Sequence, residues 1–290
     1  MTEDTQIRKP RLALLGEFSA GKSTLTNALL GQATAHVQVT ATQMPPVWYS
    51  HGTGAPVRVD LNGEEHVLDG DALSQVSPAD TRALRVYVDA PLLEKLDLID
   101  MPGSSDPNMA SDAWDALMPE FDAVIWCTPA TQAWRQSEAA IWENVPGRLY
   151  RRSALLLTRI DKIASGKDRD RVVGRMVRET EDQFVAVLPV ALREALEAAP
   201  GSEAWASSGI ADVLQMIDRL AADAPEVATA PRRVEPSGDA TPDRTAIRLD
   251  GSKPRAVSAP DPGGLHVMPR RVVGRIRRSA RPHIGDGPMV

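Results

Sequence analysis

Nine consecutive residues concentrate the chemistry of this chain: Gly16, Glu17, Phe18, Ser19, Ala20, Gly21, Lys22, Ser23 and Thr24. They match G-x-x-x-x-G-K-[ST], where glycines let main-chain N–H groups turn inward around phosphate oxygens. The apolar run Arg11–Leu15 precedes them, and Leu25, Ala28 and Leu29 follow at helical spacing. The loop would therefore join a buried strand to a helix N-terminus, whose partial positive charge favours anions. Lys22 would reach the β- and γ-phosphates, and the Ser23 hydroxyl would bind Mg²⁺.

Two carboxylates stand at, or just past, the ends of other apolar runs. Asp100-Met101-Pro102-Gly103 closes Leu96–Asp100, which would set Asp100 beside the loop as a second holder of Mg²⁺. The Gly103 N–H would contact a γ-phosphate and be released when that phosphate leaves. Thr158-Arg159-Ile160-Asp161 follows Ser153–Thr158. Asp161 there can accept two hydrogen bonds from guanine N1–H and N2–H₂, a pair that adenine does not offer. The Arg159 stem would lie along the base. A backbone N–H near Val190-Ala191-Leu192, assigned to Ala191, would end the base-reading loop.

Positioning these groups requires strands and helices in alternation. Strands are expected at Arg11–Leu15, Pro46–Ser50, Ala83–Asp89, Leu96–Asp100, Phe121–Cys127, Ser153–Thr158 and Phe184–Val190, with a turn at Pro91. Val57–Leu61 and Glu64–Leu68 flank Asn62-Gly63, read as a type I′ hairpin. Helices are expected at Ser23–Leu30, Ala113–Met118, Ser137–Asn144, Arg169–Gln183 and Ala211–Ala222. The fold class is α/β, a mostly parallel sheet covered on both faces, with an antiparallel edge at the hairpin. Trp126 and Cys127, in one apolar strand, read as core. Trp114, Trp134 and Trp142 fall where they would report nucleotide state.

Composition narrows the class further. The 290 residues carry a formal charge of −6, which argues against a protein that coats nucleic acid electrostatically. A single cysteine excludes a disulfide framework. No apolar run approaches the ~18 residues of a membrane span, and the acidic, polar start is not that of a signal peptide, so a cytoplasmic protein is expected. The charge is divided. Residues 226–290 hold 12 basic against 7 acidic residues, and 1–225 hold 21 against 32. The last segment also has 9 prolines, 7 glycines and no aromatic residue, too little apolar surface to offset ordering entropy. The expected organisation is a polar leader at 1–9, a nucleotide-binding domain at 10–222 and a disordered tail at 223–290.

The stretches GEFSAGKST, VTATQMP, DMPG and TRID resemble the nucleotide motifs of TRAFAC GTPases, and most closely those of bacterial dynamin-like proteins. Three features point to that branch: Thr-basic-x-Asp, the long gap from Gly16 to Asp100, and Thr128-Pro129-Ala130 after the strand FDAVIWC. The resemblance implies a P-loop NTPase three-layer sandwich that hydrolyses GTP to GDP with Mg²⁺. It also implies a switch threonine that senses Mg²⁺ and the γ-phosphate, assigned to Thr42 with Thr40 as the alternative. The catalytic set it implies is Lys22, Ser19, Thr42 and Gly103, with Ser23, Thr42 and Asp100 on the metal.

Departures from the family pattern shape the rest. Phe18 stands where eukaryotic dynamins use glutamine, and Ser104, Ser105 and Asp106 follow Gly103 in place of a Ras-type glutamine. Water would be positioned by backbone groups, by a monovalent cation near Ser19 and Asp106, or by a partner subunit. Arg135 reads as a surface charge or as an arginine finger in cis or across a dimer. The resemblance leaves membrane fission or fusion unsupported unless a second polypeptide supplies the long helices that follow the family's GTPase domain. The expected partners are GTP and GDP, and either a homodimer across the nucleotide face or a second dynamin-like protein. The basic stretch Arg270–Arg281 would make a weak contact with an anionic membrane or an acidic partner, peripheral at the inner membrane. A nucleotide-gated adaptor with little turnover is the competing function.

Overall fold

A nine-stranded sheet organises the chain, in the order β4-β3-β5-β2-β6-β1-β7-β8-β9. The strands are β1 Arg11–Leu15, β2 Val47–His51, β3 Val57–Asp60, β4 Glu65–Val67, β5 Thr81–Val88, β6 Asp97–Asp100, β7 Ala123–Pro129, β8 Ser153–Thr158 and β9 Ala186–Pro189. The helices are α1 Lys22–Leu30, α2 Pro91–Lys95, α3 Gln136–Trp142, α4 Gly166–Glu179, α5 Leu192–Glu197, α6 Glu203–Ser207 and α7 Ile210–Ala222. This computed structural model describes residues 7–31, 45–69, 72, 76–104, 114 and 116–227. Thr40, Thr42, Ser105, Asp106 and the stretch Arg270–Arg281 lie outside the described residues, as does all but 223–227 of the segment expected to be a tail.

The central strands are apolar throughout because both of their faces are covered. Leu12, Leu14, Leu98, Ile125, Cys127 and Leu156 enter one core, with Leu25 of α1 and Val213 and Ile217 of α7. Their neighbours Ala13, Leu15, Ile99, Val124, Trp126, Leu155 and Leu157 enter the other. Successive strand residues point to opposite faces, so an unbroken apolar run marks a strand buried on both sides. Helix α7 buries Ile210, Val213, Met216, Ile217 and Leu220, one stripe at helical spacing.

Pairing is parallel for β1 with β6 and β7, for β7 with β8, and for β8 with β9. Strand β2 runs antiparallel to β6, and β3 and β4 form the antiparallel edge. In the parallel block Leu14 is level with Asp100, Leu15 with Trp126, and Pro129 with Thr158. The ends of β1, β6, β7 and β8 therefore open onto one edge, at the point where strand order reverses about β1.

The fold corrects three local readings. Gly63 has φ 88°, but Asn62 has no positive φ, so the hairpin is not type I′. Leu61, Asn62 and Gly63 form a three-residue turn in which Asp60 Oδ1 accepts the N–H groups of Asn62 and Glu64, each at 2.9 Å, and only the glycine is left-handed. The Pro91 turn is the short helix α2, with proline at its start where a missing N–H costs nothing. Strand β7 begins at Ala123 rather than Phe121, because Asp122 turns aside to bind the Arg8 guanidinium at 2.5 and 3.0 Å and the Arg11 N–H at 2.9 Å. Helices α5 and α6 carry no sequence signal, because each is only five or six residues long, too short for a helical period to show.

Candidate functional site

The loop between β1 and α1 turns through unusual backbone. Gly16 has φ 139°, and a Cβ there would lie 2.2 Å from the Cys127 carbonyl oxygen, so only glycine fits. Ser19 and Gly21 are left-handed, with φ 58° and 100°. The Lys22 ammonium is buried and donates to the carbonyls of Gly16 and Glu17, at 3.0 and 2.9 Å. Burial lowers its proton affinity, and the Asp100 charge is the main opposing influence.

Asp100 ends β6 directly beside this loop. Its depth pushes the carboxyl up, against the pull of Lys22 and the hydroxyls of Thr26 and Ser23. Thr26 Oγ1 donates to Asp100 Oδ2 at 3.0 Å. Three residues on, Gly103 lies flush against the loop: a Cβ would meet the Phe18 nitrogen at 2.6 Å. The adjacent Ser104 N–H donates to the Gly16 carbonyl at 3.2 Å. Substitution at Gly103 would push the two segments apart.

The TRID segment closes the other side. Thr158 is fully buried and donates its hydroxyl to the Ala20 carbonyl at 2.7 Å. Arg159, left-handed at φ 56°, donates to the Ser19 carbonyl at 2.8 Å, so its guanidinium is tied to the loop itself. Asp161 is largely buried and pairs with Lys162 at 3.1 Å. A cleft of about 490 Å³ is lined by Gly21, Thr24, Thr131, Thr158, Arg159, Asp161, Lys162, Leu192 and Arg193. The Ala191 N–H donates to the Ser208 carbonyl at 2.8 Å, and it is Leu192 and Arg193 that reach the cleft.

Glu17 and Phe18 diverge. Phe18 is 67% exposed, whereas Glu17 is buried and takes the Ser137 hydroxyl at 2.6 Å and the Arg135 guanidinium at 2.5 Å. Arg135 is thus paired within the chain. Beneath it, fully buried Glu138 accepts from Trp126 Nε1, Thr128 Oγ1 and the Arg135 N–H at 3.1, 3.0 and 3.0 Å. Trp126 and Cys127 are core, as expected. Trp114, Trp134 and Trp142 meet the Trp126 ring edge-on at 6.3, 5.9 and 5.7 Å.

Sequence reasoning missed Thr26, Thr131, Ser137, Lys162 and Arg193. Thr26 had a signal: one turn after Lys22, it is a hydroxyl on the buried face of a helix. The others arrive through tertiary contact alone.

A parallel-centred α/β sheet with a glycine-rich loop at its switch point and a lysine at the following helix N-terminus defines a P-loop nucleotide-binding fold. Residues 12–159 match the Dynamin family, and the chain belongs to it, carrying a dynamin-family GTPase domain. Dynamin-like protein 2 of Campylobacter jejuni is 24% identical over 219 residues, covering 72% of this chain and 34% of that protein. The isoniazid-induced protein IniC of Mycobacterium tuberculosis is 28% identical over 210 residues, covering 62% of this chain and 41% of that protein. The chain thus spans between a third and a half of the length of these relatives. A solved structure from an oligomerised bacterial dynamin pair shares the fold at TM-score 0.55 and 20% identity, covering 73% of this chain and 34% of that one. Among the described residues, no helix is long and apolar enough to cross a membrane.

Proposed function

We propose that this chain binds GTP with Mg²⁺ and hydrolyses it to GDP, acting as a nucleotide-dependent switch that works through self-association or a partner. The carrying observation is the cleft in which Gly21 and Thr24 of the loop face Thr158, Arg159 and Asp161. A triphosphate along the loop then brings its base to the Asp161 carboxylate, which suits the two guanine donors.

The donor set suits a hard divalent cation: the Asp100 carboxylate is deep enough to disfavour an uncompensated charge, and the Ser23 hydroxyl stands beside it. Thr42 is the third donor in this reading. Bound there, Mg²⁺ would neutralise charge on the β- and γ-phosphate oxygens. Lys22 exchanges its two carbonyl partners for phosphate oxygens, and its ammonium spreads the charge that develops on the leaving group. Ser19 and Gly103 flank the γ-phosphate, Gly103 through its N–H, so its loss releases the DMPG segment from the loop. Glu17, Phe18 and Ala20 contribute main chain to the cradle, and Ala191 holds the base loop through Ser208.

Exposed Phe18, in the position of the dynamin glutamine, favours a second reading: an adaptor that binds GTP with little turnover. Single-turnover hydrolysis separates the two. The switch enzyme turns over GTP and loses both binding and turnover with Lys22→Ala; tight binding without turnover supports the adaptor. For the base, Asp161→Asn is expected to weaken GTP binding about a hundredfold and to favour xanthosine triphosphate. Unchanged GTP affinity would sink the guanine assignment.

A further inference from the structure

A loop built from N–H groups, a helix N-terminus and a lysine attracts anions, yet its second residue is a carboxylate. Glu17 is not turned out to solvent: its side chain is 7% exposed. Its charge must be met from within, since a buried acid beside a phosphate seat repels the ligand and bears its own desolvation cost. Both oxygens are met by one short segment, Oε1 by the Ser137 hydroxyl at 2.6 Å and Oε2 by Arg135 at 2.5 Å. That segment opens α3, which follows β7, the strand next to β1 in the sheet.

The segment is itself held from below. Glu138 takes the Arg135 N–H, and the same carboxylate binds Trp126 and Thr128. The Trp134 N–H donates to Thr128 Oγ1 at 3.3 Å, and Trp134 is left-handed at φ 58°, a conformation that a bulky residue keeps only where its surroundings impose it. A free surface arginine needs none of this. The main chain of Glu17 matters as well, because its carbonyl accepts from Lys22 at 2.9 Å, so a displaced Glu17 moves a partner of the catalytic lysine.

We infer that Arg135 is a positioning residue for the phosphate loop: pairing with Glu17 in cis, together with Ser137, it draws that carboxylate out of the loop and cancels its charge toward the bound nucleotide. This rests on the reading of the loop as a guanine-nucleotide site. It assigns Arg135 a ground-state electrostatic task, in place of the transition-state task of an arginine finger.

The test uses the full chain and fluorescent mant-GDP and mant-GMPPNP, titrated at low and moderate salt, with single-turnover GTP hydrolysis alongside. Arg135→Ala and Arg135→Gln are expected to weaken both nucleotides about tenfold, while Arg135→Lys restores most of the affinity because charge is what matters. Glu17→Gln alone tightens binding by about threefold, since the Arg135 charge is then left unopposed beside the phosphates. The decisive comparison is the double variant: adding Glu17→Gln to Arg135→Ala recovers affinity to within about threefold of wild type, as coupling through one ion pair requires. If Arg135→Ala does not fold, Arg135→Gln carries the same comparison. The inference is overturned if the double variant binds as weakly as the single one. It is equally overturned if binding is unchanged while hydrolysis falls in both Glu17 backgrounds, the signature of an arginine finger. A wild-type chain that binds neither nucleotide overturns the site reading itself, before any variant is compared.

Discussion

Cys127 shows how burial dominates the behaviour of a reactive group. It is fully enclosed, and desolvation pushes its thiol from 9.0 up to about 12, with Lys22 opposing. The folded state therefore holds its proton while the unfolded chain releases it. Its contribution to stability is intact below pH 9.0 and is lost as pH rises toward 12. The slope from this one group approaches about 1.4 kcal/mol per pH unit within that window. Burial raises the Tyr49 phenol as well, which adds to the slope at higher pH. Urea denaturation at a series of pH values between these limits is expected to show a shallower loss of stability for Cys127→Ala than for wild type. Parallel slopes would refute the assignment. The same enclosure predicts no alkylation of the native protein at neutral pH.

At the scale of elements, one hydroxyl joins α1 to β6. The Thr26 hydroxyl has two acceptors within reach of its single proton, the Lys22 carbonyl at 3.2 Å and Asp100 Oδ2 at 3.0 Å, and the bond to the carboxylate is the shorter. Removing it leaves a deep carboxylate one hydrogen bond short, while the shape barely changes. Thr26→Val is expected to cost about 1–2 kcal/mol, and Thr26→Ser to recover most of it. Thermal melts of the three chains decide this; a valine variant as stable as wild type would mean that the bond is idle. Elements also explain what was readable beforehand. Strand β8 runs from Ser153 to Thr158 as expected, because its apolar run ends abruptly in charge on both sides. Asn62-Gly63 misled because one left-handed glycine serves either hairpin type, and the side chain of Asp60 selects between them.

At the scale of the molecule, the nucleotide edge of the sheet carries exposed Phe18 and half-exposed Arg135, the latter engaged with Glu17. Engaged by Glu17, Arg135 is not free to act as an arginine finger in cis, which favours one supplied by a second molecule. Specific GTPase activity is accordingly expected to rise about tenfold or more as protein concentration is raised through the association range. A rate independent of concentration, measured beside light scattering, would exclude self-association as the trigger.

The chain order alone determined that β1, a glycine-rich loop and α1 follow one another, because contiguous residues carry both the apolar run and the phosphate chemistry. It likewise set Asp100 at the end of one strand and Asp161 three residues past the end of another, where buried runs give way to charge. The tertiary structure decided how these pieces meet. Thr158 and Arg159 grip carbonyls of the loop from more than a hundred residues away, and Arg135 and Ser137 take up the charge of Glu17. A motif records the residues a short loop needs locally. The partners of a buried carboxylate are chosen by which strands lie side by side, and strand order is fixed only when the whole sheet packs.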